Sequence, residues 1–155
     1  MTILEVTQIL EAMEAIPGFE AGRVHLASLE TLRRAYNGCG PERWSQALRD
    51  KLDEETQMFA PSILVHDLDF DESDGRDDTM HEANERFHRN NRRIFRHYYP
   101  FWTWRMLRPS YRLKRAKARI DMLALNAFTR DFMTWYAWQA MSARNYVYRE
   151  ARGDM

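Results

Sequence analysis

Apolar residues return at three- and four-residue intervals through most of this chain, and no stretch reads persuasively as a strand, which confines the fold to packed helices. Thr2 followed by Glu5 has the spacing of a capping box, after which Ile3, Val6, Ile9, Leu10, Met13 and Ile16 keep helical spacing until Pro17-Gly18 stops them. Ser28 caps a shorter segment, Leu29, Leu32 and Tyr36, that ends at Asn37-Gly38. Between Glu42 and Met58 a polar helix carries one thin stripe, Trp44, Leu48 and Leu52, broken by Phe59-Ala60-Pro61. A further helix starts at Pro61 or Ser62, and Asp71 to Asp78 is a loop by composition. Thr79 with Glu82 suggests a second capping box, opening a helix through Ala83, Phe87 and Ile94 to about Tyr98, closed by Pro100. After Pro109 helical spacing runs from Tyr111 to about Tyr148 and broadens beyond one face near Trp135.

A chain of 155 residues is one domain by default, here taken as residues 1–155, with chemistry-bearing residues within 36–90 and a basic, aromatic part over 100–150. Cys39 is the single cysteine, so no intrachain disulfide can form and a reducing compartment is expected. The N-terminus has no basic segment before an apolar run, and no stretch is long and apolar enough to span a bilayer. The expectation is therefore a cytoplasmic protein without an export signal or a transmembrane helix. Basic and acidic residues balance at 23 each. They are strongly segregated, however: Lys51 and Arg76 are the only Lys or Arg from Asp50 to Glu85, and no acid occurs from Arg86 to Arg119. A basic block of this kind calls for an anionic or acidic neighbour.

Chemistry concentrates in Ser62-Ile63-Leu64-Val65-His66-Asp67-Leu68-Asp69-Phe70, where an imidazole, an adjacent carboxylate and an apolar run coincide. On a helix His66 and Asp67 point about 100° apart, so one can serve a substrate and the other a cation. Asn37-Gly38-Cys39-Gly40-Pro41 lies upstream and Ala83-Asn84-Glu85-Arg86-Phe87 downstream. Cys-Gly-Pro, then His-Asp-x-x-Phe, then Ala-Asn-x-x-Phe resembles the motif order of phospholipase A2-like proteins, in particular the small cysteine-poor versions of phage and prophage. The resemblance covers roughly residues 36 to 90.

That resemblance implies an all-α fold with antiparallel helices around His66 and Phe87, and a calcium-dependent ester hydrolase acting on phospholipid. His66 would be the base, Asp67 the carboxylate ligand of calcium, and Gly38, Gly40 and Glu42 would offer loop carbonyls to the ion. The amide of Gly40 would face the oxyanion, and Asn84 would hold the second nitrogen of the imidazole. The chain also departs from the pattern. Phe70 stands where the family has a tyrosine, Asn84 where it has an aspartate, and Ser62-Ile63 where it has disulfide-bearing positions. Glu42-Arg43-Trp44 replaces the later glycines of the calcium loop. These departures point to weakened activity.

Other readings compete. Asp67, Asp69, Asp71 and Asp78 partly match the ligand order of an EF-hand loop, though Glu72 occupies the position that usually needs glycine. The block from Arg86 to Arg119, interleaved with aromatics, suits nucleic acid or an anionic membrane surface, with Arg92, Arg93, Arg96, Trp102 and Trp104 as contacts. It equally suits internal pairing with the acidic segment before it. The C-terminal aromatics allow self-association or a protein partner, as expected of a non-catalytic phage accessory or assembly protein built on the same scaffold.

Overall fold

The computed structural model describes residues 2–36, 45–72 and 77–129. Among them are six α-helices and no strand: α1 (Ile3–Ala15), α2 (Leu29–Ala35), α3 (Gln46–Thr56), α4 (Ala60–Asp71), α5 (Asp77–Tyr98) and α6 (Pro109–Ala127), with short 3-10 turns before α2, α4 and α6. The all-helical expectation holds. The capping box at Thr2 forms as its spacing suggested: Thr2 Oγ1 accepts from the Glu5 amide at 3.2 Å while the Thr2 amide donates to Glu5 Oε2 at 2.6 Å. Ser28 likewise accepts from the Thr31 amide at 3.1 Å to start α2.

Helix α4 sits at the centre. Ala60, Pro61, Ser62, Ile63, Leu64, Val65, Leu68 and Phe70 are all buried, so this helix is enclosed on several sides rather than along one stripe. One flank meets α1 and α2 through Val6, Met13, Val24 and Leu32, and another meets α5 and α6 through Phe87, Ile94 and Met122. The 3-10 turn Gln57–Phe59 feeds straight into α4 with Pro61 in its first turn, where a missing N–H costs nothing. Proline here opens the helix; the break lies before it.

Helices α4 and α5 run antiparallel. Ser62 Oγ bonds Asn91 Oδ1, His66 pairs with Asn84, and Phe70 packs with Met80 and Ala83, so positions rise on one helix as they fall on the other. Thr79 is already helical within α5 rather than ahead of its first turn, which displaces the capping box expected of it. Asp67, Asp69 and Asp71 all lie on α4, so they cannot alternate around an ion as an EF-hand loop requires. The helix expected from Tyr111 begins at Pro109 and is described as far as residue 129, its last two positions in a wider turn; the remainder to Tyr148 lies outside the described residues.

The connection after α1 is fastened to α5 by polar side chains. Asn90 accepts from the Glu20 amide and donates to the Glu20 carbonyl, both at 2.9 Å, as a neighbouring strand would. Arg89 forks onto the Glu20 carboxylate at 3.0 and 2.8 Å and also donates to Glu82 at 2.8 Å, while Arg93 donates to Glu20 from its other side. Gly22, at φ +56°, lets this connection pass close over α5: a Cβ there would sit 2.9 Å from Arg86 Nη1. Much of the first half of the basic block is thus consumed inside the domain.

Candidate functional site

His66 lies in the middle of α4, facing α5. The registration of the two helices brings it to Asn84, with Nε2 2.9 Å from Asn84 Oδ1. An amide oxygen only accepts, so Nε2 donates across this contact. Nδ1 is 3.8 Å from Asp67 Oδ1, and the His66 side chain keeps 12% of its surface exposed. Phe70 and Phe87 hold the ring in place, with centroids 4.4 and 4.8 Å from that of the imidazole. The result is an imidazole of fixed plane, with Asn84 at Nε2 and the Asp67 carboxylate near Nδ1.

Asn84 is itself buried, at 6% exposure, so its amide is held rather than swinging in solvent. One turn along, Asp69 meets Arg86 Nη1 at 2.6 Å. Burial nevertheless holds the Asp69 carboxyl above its usual range, the guanidinium offsetting only part of the desolvation. The sequence does not pair Asp69 with Arg86, since the antiparallel register that sets His66 against Asn84 carries Asp69 toward the start of α5 rather than toward Arg86.

Calcium takes six to eight oxygen ligands, and among the described residues no three His, Cys, Asp or Glu side chains converge. Asp67 is the carboxylate beside the imidazole, Asp69 is engaged by Arg86, and Asp71 is exposed at the end of α4. The described residues therefore fall short of a calcium shell. Gly38, Gly40 and Glu42, expected to supply loop carbonyls and the oxyanion amide, lie outside the described residues, as does Cys39.

The candidate anion contacts divide. Arg93 is tied to Glu20, whereas Arg92 and Arg96 are exposed on α5, and Trp102 and Trp104 are exposed between α5 and α6. No described helix is long and apolar enough to cross a membrane. No family model, curated protein or solved structure matches this chain.

Proposed function

We propose that this chain is a lipid ester hydrolase of phospholipase A2 type, of the kind carried by phage and prophage, with His66 as its base. The observation that carries the reading is the 2.9 Å contact between His66 Nε2 and Asn84 Oδ1, which joins the two motif segments across antiparallel helices and leaves Nδ1 to accept a proton. Water whose proton passes to Nδ1 attacks the ester carbonyl carbon, and the imidazolium then carries hydrogens on both nitrogens. Asn84 keeps accepting from Nε2 throughout. The tetrahedral carbon collapses, the alkoxide leaves with the proton from Nδ1, and the products are a fatty acid and a lysophospholipid. A calcium ion held by Asp67 would polarise the carbonyl and stabilise its developing negative charge.

Asn84 is the weak link in such a site. A neutral amide orients the ring but lacks the charge that stabilises imidazolium. The test is fatty acid release from phospholipid vesicles with and without calcium. His66→Ala should abolish it, and Asn84→Asp, which restores a carboxylate at the same distance, should raise it about tenfold or more. Silence from both the wild type and Asn84→Asp on neutral and anionic lipids alike would overturn the proposal. Phe70, where the family has the tyrosine that bonds the orienting aspartate, and Asn84, which lacks that aspartate's charge, favour one second reading in that event: a non-catalytic accessory or assembly protein that retains the helix pair as scaffold.

A further inference from the structure

Helix α6 is apolar on two sides. At 100° per residue Tyr111, Ala118, Met122 and Leu125 fall together, and Leu113, Ala116, Ile120 and Leu123 fall about 160° away from them. The first side packs into the core with Ile94 and Phe95. The second faces outward, with Leu113 74% exposed, and among the described residues nothing covers it. It continues into residues 101–107, where Trp102 is 92% and Leu107 86% exposed, and Met106 borders both the groove along α6 and the aromatic hollow beside it. A soluble domain rarely leaves so continuous a run of large apolar side chains outward without a use for it.

Charge says what the use is. Arg112 and Arg119 line the same groove, and the Arg108 guanidinium lies over the Trp104 ring at 4.4 Å. No acid occurs from 86 to 120, and Asp121, the next one, is engaged by Lys117 at 3.1 Å. We propose that this face docks on an anionic phospholipid bilayer, with Trp102, Trp104 and Leu107 inserted at headgroup level and α6 lying along the surface. Exposed indoles and aliphatic side chains rimmed by arginine suit that interface. A nucleic acid would use the arginines and indoles but has no use for Leu113, Ile120 and Leu123. A two-fold copy of the same face would set arginines against arginines.

The inference rests on the lipid reading for its partner, and binding can be measured without turnover. Flotation of the full chain carrying His66→Ala should be at least about tenfold stronger with vesicles containing phosphatidylglycerol than with phosphatidylcholine alone, and should weaken as salt rises. Trp102→Ala with Trp104→Ala, or Arg108→Gln with Arg112→Gln, should each cut it about tenfold; both pairs are exposed, and circular dichroism checks that the fold is retained. Absence of flotation, flotation unchanged in either pair, or self-association that consumes the face before vesicles are added would overturn the proposal. A wild type that still cleaves a soluble short-chain ester but does not float would sink this inference alone. One that floats but cleaves nothing would sink the hydrolase alone.

Discussion

The α4–α5 pair and α6 with its preceding turn use similar residue types to opposite ends. Around α4, arginines and apolar side chains are consumed internally: Arg86 pairs with Asp69, Arg89 and Arg93 clamp Glu20, and Leu64 and Leu68 have no exposed surface. In the turn and on the outer side of α6, Trp102, Leu107 and Leu113 face outward beside Arg108 and Arg112, with no acid in the surrounding stretch. Composition is common to the two regions. The difference is the supply of partners: among the described residues Glu20, Glu82 and Asp69 pair with arginines of α5, while at α6 Glu55 and Asp121 engage Lys117 and not Arg108 or Arg112.

The largest effect expected from this contrast is on stability at the centre. Leu68→Ala removes a fully buried side chain between α4 and the α1–α2 cluster, and should cost about 2–5 kcal/mol in chemical denaturation because the enclosed helix cannot collapse around the gap. A loss below about 1 kcal/mol would mean that α4 is not the packed centre of the domain.

A smaller effect belongs to Glu20, where the basic block meets its acid. Hydrogen bonds from Arg89, reinforced by Arg93, lower its carboxyl from 4.5 to about 2, against the opposing pull of burial. The folded pKa lies below the unfolded one, so the folded state gains stability above about pH 4.5 and loses it as pH falls from there through about 2. Glu20→Gln should flatten stability across that window and cost about 1–2 kcal/mol at neutral pH. The carboxylate is 31% exposed, which holds the figure below that of a fully buried pair, and Arg89 retains Glu82. Unaltered acid sensitivity in the variant would transfer the clamp to another carboxylate.

How far the sequence foretold this depends on the kind of interaction. Helix positions were legible because backbone capping and apolar period are local: Thr2, Ser28 and Pro61 act within a few residues of themselves. Thr79 misled because a Thr-x-x-Glu pattern also occurs inside a helix, where Thr79 and Glu82 lie in α5. The His66–Asn84 contact was legible through motif order, while the Phe70 and Phe87 rings that fix the imidazole follow from helix register. Glu20 was invisible: nothing local marks it as the anchor of Arg89 and Arg93, some 70 residues away. Nor could the charge segregation alone say which arginines stay outward, since Arg92 and Arg93 are adjacent in the chain and differ only by one step around α5.

The smallest expected effect is the sharpest counterpart to Leu68. Leu107→Ser also replaces a leucine, but one that is 86% exposed, so little area returns to water and no cavity opens. Stability should change by no more than about 0.5 kcal/mol, or rise slightly, while vesicle binding falls. The two readouts must separate if the face serves a surface outside the domain. A destabilisation approaching that of Leu68→Ala would show instead that Leu107 is covered by another part of this chain, and the contrast between the two regions would then lie in which segment does the covering rather than in inward against outward use.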